Sequence, residues 1–176
     1  RRINVIDPFQ LLARMEQDSV SCFGANDGRA YATITGPSAP PYTFQWDDPT
    51  SQNVINPLSD TVSSLSSGQY TVTITDGLGC AIRNTVNVLS PTDISLAITI
   101  DSVDCNGGNA IVTVTPSGGS GLYPTIEWEN FGTTNNTVQG GYTGSLAGTS
   151  YGVTVTDSKG CLKSTTFSII EPAAIT

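Results

Sequence analysis

Apolar and polar residues alternate with a period of two along most of this chain, in short runs broken by turn residues. Tyr70, Val72 and Ile74 alternate with Thr71, Thr73 and Thr75, and Tyr151, Val153 and Val155 alternate with Gly152, Thr154 and Thr156 at the same parity. An extended strand turns successive side chains to opposite faces, so each run predicts a half-buried β-strand. Ile94, Leu96, Ile98 and Ile100 make another such run. Tyr42, Phe44 and Trp46 share one face, as do Ile126 and Trp128, while Ile111/Thr113 alternate with Val112/Val114. The only helix candidate, Phe9 to Gln17, carries Leu11, Leu12 and Met15, but its counterpart Thr92 to Thr99 is β-patterned, so it is predicted as strand. Asp76-Gly77-Leu78-Gly79 and Asp157-Ser158-Lys159-Gly160 are turn clusters, each followed by a cysteine where a new strand starts. Both spell β-hairpins.

These runs recur as a set. Cys22, Trp46, Tyr70, Asp76, Cys80 and Pro91 return as Cys105, Trp128, Tyr151, Asp157, Cys161 and Pro172, displaced by 83, 82, 81, 81, 81 and 81 residues. A period of about 82 is too long for a solenoid turn, which takes roughly 20 to 50 residues. It fits one whole small domain per copy. Ile3, Val5 and Pro8 also stand ahead of Cys22 as Val86, Val88 and Pro91 stand ahead of Cys105. Residues 1–7 are therefore expected to be the last strand of a preceding repeat. Repeat 1 takes 8–90 and repeat 2 takes 91–171, and 172–176 would open a following repeat. Six or seven short strands per copy, spaced by about 8–12 residues, predict an all-β chain of two tandem immunoglobulin-like antiparallel β-sandwich modules. Trp46 and Trp128 are the expected core anchors between sheets. Tyr70 and Tyr151 each follow a leucine and a glycine at the head of the next-to-last strand, the order of a tyrosine corner.

Charge narrows the range of partners. The chain has 7 basic and 15 acidic residues, no histidine, and a net charge of −8. With no basic face to displace phosphate counterions, nucleic acid is not an expected partner, nor is an anionic membrane surface. No run approaches the roughly 20 apolar residues that a spanning helix needs, so membrane insertion is not expected. Modules of this size bury only about 60% of their unfolded surface and gain from covalent staples.

The four cysteines, Cys22, Cys80, Cys105 and Cys161, sit two per copy and predict disulfides made in an oxidising compartment. Zinc wants CxxC or CxH spacings, which are lacking here. Pairing within a copy, Cys22–Cys80 and Cys105–Cys161, closes loops of about 60 residues worth roughly 3–4 kcal/mol. Against it, the first turn and the last hairpin of such a sandwich lie at opposite poles, and bridged Cα atoms must lie within about 7 Å. Cys80–Cys105 is the alternative if 82–89 pairs with 94–103. Within-copy pairing is the reading preferred, with the alternative open.

The remaining inventory supplies no catalytic site. Asp47-Asp48 are adjacent on a strand and point apart, so they do not converge on one bond, and repeat 2 has Glu129-Asn130 there. A serine nucleophile has no histidine to activate it, and no glycine run opens a helix to cradle phosphate. Asn26-Asp27-Gly28 reads as a turn, not a calcium loop. Asp76 and Asp157 fit hairpin turns in which aspartate bonds its own backbone. No metal or cofactor is expected. Tyr31, Tyr123 and Tyr142 are candidate sugar-stacking residues, each more in keeping with a core rim.

Taken in order, Cys22-Phe23-Gly24 and Cys105-Asn106-Gly107, Pro41-Tyr42-Thr43-Phe44-Gln45-Trp46, Gly68 to Asp76, and Gly79-Cys80 resemble the SprB repeat, named for the giant adhesin of gliding Bacteroidetes. Repeat 1 matches throughout. Repeat 2 departs in its Cys-to-strand loop, which lacks the Asp27-Gly28 pair, and in Tyr123-Pro124, the reverse of the family's Pro-Tyr. The resemblance implies a non-catalytic cell-surface filament of many modules, exported by the type IX route and serving gliding and attachment. Its partners would be neighbouring repeats, surface polysaccharide or gliding-machinery proteins. It also implies O-glycosylation at Asp-Ser/Thr-aliphatic tripeptides, which makes Ser19, Thr61 and Ser102 candidates. The alternative is a glycan-binding or spacer module attached to a secreted polysaccharide-degrading enzyme.

Overall fold

The computed structural model describes residues 10–36, 39–48, 54–56, 58–101, 109–129, 141–145, 150–170 and 172–173. The chain divides into two compact units, Arg1–Ser90 and Pro91–Thr176. Every regular element among the described residues is a strand. The Phe9–Gln17 stretch yields β1, Ala13–Asp18.

Unit 1 has two facing sheets. One orders β1, β2 (Gly28–Ile34) and β5 (Ser59–Leu65) as β1-β2-β5. The other orders β3 (Tyr42–Trp46), β4 (Val54–Asn56), β6 (Gly68–Thr75) and β7 (Ala81–Val88) as β4-β3-β6-β7. All pairings are antiparallel. The period-two pattern sets what is buried. Ala30, Ala32 and Ile34 of one sheet face Tyr42, Phe44, Trp46, Val72 and Ile74 of the other, while Thr71, Thr73 and Thr75 take the outer face. Each fully buried aliphatic or aromatic side chain gains about 1.5–3 kcal/mol from leaving water. β2 and β5 slip by one residue at Gly28/Arg29, and the extra residue, Ser64, takes a left-handed φ of 61°. It is a β-bulge.

Unit 2 repeats the plan. β8 (Ser95–Asp101), β9 (Asn109–Ser117) and β11 (Gly141–Ser145) form β11-β9-β8; β10 (Thr125–Glu129), β12 (Ser150–Thr156) and β13 (Leu162–Ser168) form β10-β12-β13. Val112 and Val114 of the first sheet meet Ile126, Trp128, Tyr151, Val153 and Val155 of the second. Phe167 on β13 completes an aromatic group: its ring lies edge-on to Trp128 at 6.1 Å and stacks on Tyr151 at 5.9 Å. Both units are immunoglobulin-like antiparallel β-sandwiches.

The cysteine pairings need correction. Cys80 carries a free, exposed thiol, so neither Cys22–Cys80 nor Cys80–Cys105 is formed. Cys22 and Cys161 are each disulfide-bonded; Cys105 lies outside the described residues. Geometry explains why Cys22 and Cys80 do not meet. Cys80 abuts the start of the eight-residue β7, whereas the loop holding Cys22 lies at its far end, where the Val20 N–H donates to the Leu89 carbonyl at 3.0 Å. Eight strand residues cover more than about 20 Å, far beyond the reach of a disulfide. Cys80–Cys105 required a hairpin of 82–89 with 94–103, but β7 pairs with β6 and β8 pairs with β9.

Candidate functional site

The best-defined polar constellation is the hairpin that ends each copy. Asp76 is 5% exposed and Asp157 2% exposed, which makes them the buried polar side chains among the described residues. Burying a carboxylate is costly unless donors replace its water, and both are supplied. Asp76 Oδ1 accepts from the backbone N–H groups of Leu78 at 3.0 Å and Cys80 at 2.9 Å. Asp157 Oδ1 accepts from Lys159 and Cys161 N–H, both at 2.9 Å, and its Oδ2 accepts from Ser120 N–H at 2.9 Å. Burial alone would raise the Asp157 carboxyl, but the N–H groups of Cys161, Ser120 and Lys159 and the Ser120 hydroxyl outweigh it and hold it below the usual carboxylate range. Gly79 and Gly160 turn the chain at φ 87° and 85°, a left-handed conformation that a β-carbon would strain. The Asp-x-x-Gly-Cys spelling is thus a turn in which a carboxylate organises its own backbone.

The Cys22 loop is built in the same manner. Asp27 Oδ1 accepts from Ser21 N–H at 2.9 Å, and hydrogen bonds from the Ser21 hydroxyl and N–H lower its pKa. Gly28 sits so close to the opposite sheet that an added Cβ would lie 2.6 Å from Val88 Cγ1. This accounts for the Asp-Gly pair as structure. No group of three or more metal-ligating side chains occurs among the described residues.

Trp46 is 4% exposed and Trp128 7% exposed, each inside its core. Trp46 Nε1 donates to Asp60 Oδ2 at 2.9 Å. Tyr70 is half-buried, and its hydroxyl donates to the Ser66 carbonyl at 3.0 Å, the bond of a tyrosine corner. Tyr151 is 4% exposed; the loop preceding it at 146–149 lies outside the described residues.

The other candidates are scattered. Tyr31 donates its hydroxyl to the Asp18 carboxylate, and that bond raises its pKa. Tyr123 donates to the Gly118 carbonyl at 2.7 Å. Both rings are partly buried and tethered, so neither presents a free stacking platform; the Tyr142 side chain lies outside the described residues. Asp47 serves the backbone, with its Oδ1 accepting from Thr71 N–H at 2.8 Å. Ser19 and Thr61 are exposed, while Ser102 lies outside the described residues. A shallow depression of about 210 Å³ on unit 1 is lined by Gln45, Trp46, Asp47, Thr71, Thr73 and Arg83. Its walls are polar and offer no nucleophile–base pair. Two features have no local signature in the sequence: Phe167 as a core ring, and Asn84, Lys163 and Thr165 as residues on the inward-facing side of their strands. Polar neighbours on β7 and β13 hid both.

Residues 16–51 match the model of the SprB repeat. Part of the first unit is thus similar to a SprB repeat. The match spans the Cys22 loop through Trp46, and it marks the chain as adhesin-like, of the cell-surface repeat type. Among solved structures, three N-terminal domains of the highly immunogenic outer capsid protein (Hoc) of bacteriophage RB49 align with TM-score 0.51 and 19% identity, over 92% of this chain and 59% of that one. The insect immune protein hemolin aligns with TM-score 0.35 and 10% identity, over 97% and 49%. The four N-terminal Ig domains of Dscam1 isoform 8.4 align with TM-score 0.32 and 14% identity, over 88% and 42%. No curated protein sequence matches. At these identities the Hoc likeness speaks to the fold alone, and this chain spans about three fifths of that structure.

Proposed function

We propose that this SprB-repeat chain is a segment of a long extracellular filament whose modules act as non-catalytic spacers and adhesive elements in gliding and surface attachment. The observation that carries this reading is the duplication itself: one β-sandwich plan occurring twice, in units that follow each other in sequence at Ser90-Pro91. Disulfide-bonded Cys22 and Cys161 accord with an oxidising, extracytoplasmic setting. The acidic surface keeps neighbouring filaments apart, and the buried carboxylates are consumed by turns, not aimed at a cleft. The expected partners are neighbouring repeats together with surface polysaccharide or gliding-machinery proteins.

The test is antibody labelling of the module on intact, unpermeabilised cells of the source organism, coupled with deletion of its gene. Surface label and loss of attachment or spreading are expected. Label confined to lysed cells would overturn the filament reading. Selective glycan-array binding, with motility intact after deletion, would support the accessory module of a polysaccharide-degrading enzyme instead.

A further inference from the structure

The first and last strands of each unit are edge strands of its two facing sheets: β1 and β7 in unit 1, β8 and β13 in unit 2. A chain pulled from its ends loads these strands before any others. In unit 1 they are cross-linked. Asn84 Nδ2 donates to the Ala13 carbonyl at 3.2 Å, and Val20 N–H donates to the Leu89 carbonyl at 3.0 Å. Residue numbers rise together along the two strands, so β1 and β7 run parallel. Tension drags β1 toward its start and β7 toward its end, in opposite directions along one axis. Both bonds are then sheared at once, instead of being peeled one after another.

Among the described residues, the Ala13–Asn84 part of the seam is closed differently in unit 2. The counterparts of Ala13 and Asn84, displaced by 83 and 81 residues, are Leu96 and Thr165. Both line an open cleft of about 320 Å³ between β8 and β13, together with Asp93, Ile94, Ser95, Lys163 and Ser164. No hydrogen bond joins the Thr165 side chain to Leu96 among the described residues. Where unit 1 packs Ile82 against its core, unit 2 has Lys163, whose Nζ donates to Asp93 Oδ2 at 2.6 Å. The two side chains are 41% and 47% exposed. An exposed ion pair is weak and is screened by salt.

We propose that unit 1 is the load-resisting body of this chain and unit 2 the yielding one, because the Asn84–Ala13 bond closes the terminal-strand seam in unit 1, whereas an exposed ion pair spans an open cleft in unit 2. Unit 2 then acts as an extensible element that gives way before unit 1. This rests on the filament reading for its purpose but not for its test: absent surface label refutes the filament and leaves the force measurement standing.

The experiment is constant-force spectroscopy on the whole chain between molecular handles, in reductant so that no disulfide shortens the released length. Two unfolding steps of different lifetime are expected. Lys163→Ala, or raising the salt, shortens the briefer step about two- to fivefold. Asn84→Ala shortens the longer step roughly two- to tenfold. Thr165→Asn, which offers β8 the amide that unit 1 already uses, lengthens the briefer step. Chemical denaturation of each variant confirms folding, and if Asn84→Ala fails to fold, Thr165→Asn carries the test from the other unit. Equal lifetimes for the two steps, an Asn84→Ala chain with both lifetimes unchanged, a Thr165→Asn chain with the briefer step unchanged, or a Lys163→Ala effect on the longer step would overturn the proposal.

Discussion

Asp157 shows how one side chain holds a turn. Three backbone N–H groups converge on its two oxygens in a site that is 2% exposed. Asp157→Asn keeps one acceptor but sets an amide NH₂ against the Ser120 N–H. Loss of about 1–3 kcal/mol is expected, measured as the urea midpoint of the unit 2 transition. Acid attacks the same chemistry. Asp27, Asp93 and Asp157 all have folded pKa values below the ordinary carboxylate value; for Asp93 the first cause is the hydrogen bond from Lys163. The unfolded chain therefore binds protons more readily than the folded one. Their stabilisation is complete above about pH 4 and is lost as pH falls through the folded values. Thermal scans from pH 7 to pH 2 should show falling midpoints, with a shallower fall in Asp157→Asn; a flat profile would refute the assignment. Trp46→Ala should cost about 3–5 kcal/mol because the ring fills the core. Trp46→Phe, which chiefly loses the Asp60 bond, should cost about 1 kcal/mol.

At the scale of the element, alternation was enough to find most strands. Tyr70 to Thr75 bury Val72 and Ile74 and turn their threonines outward, as period two demands. Where burial on one face was incomplete, the signal failed. β13 turns Lys163, Thr165 and Phe167 inward, and two polar residues out of three hide the third. An inward-pointing lysine on an edge strand also blocks the addition of a foreign strand, so the residue that spoiled the pattern has a protective use. The Ser64 bulge had no local spelling either. Its left-handed φ costs roughly 1–2 kcal/mol in a residue with a β-carbon, whereas glycine in a strand costs about 0.5–1 kcal/mol in entropy. Ser64→Gly should therefore stabilise unit 1 by up to about 1 kcal/mol, read as a raised denaturation midpoint.

Two units with separate cores lead to two unfolding transitions for the whole molecule. Reduction should lower the midpoints through Cys22 and Cys161, since cross-links restrict the unfolded chain. Cys80→Ser should leave both midpoints in place, and the exposed Cys80 thiol should react with a thiol reagent in the native state. Loss of a transition in Cys80→Ser would mean that this sulphur is structural after all.

What this sequence determined by itself was strand periodicity, the Asp-x-x-Gly turns, the duplication and most of the core positions on the regularly alternating strands. A strand reports its own faces, and a turn reports its own dihedral needs, because both depend on neighbours in the chain. Only tertiary structure decided which cysteine found a partner, how far into the core Tyr70 and Phe167 reached, and whether the first and last strands closed tightly or stood apart. Those outcomes depend on distances between residues some seventy positions apart, such as Ala13 and Asn84 or Asp93 and Lys163, and no local pattern encodes such a distance.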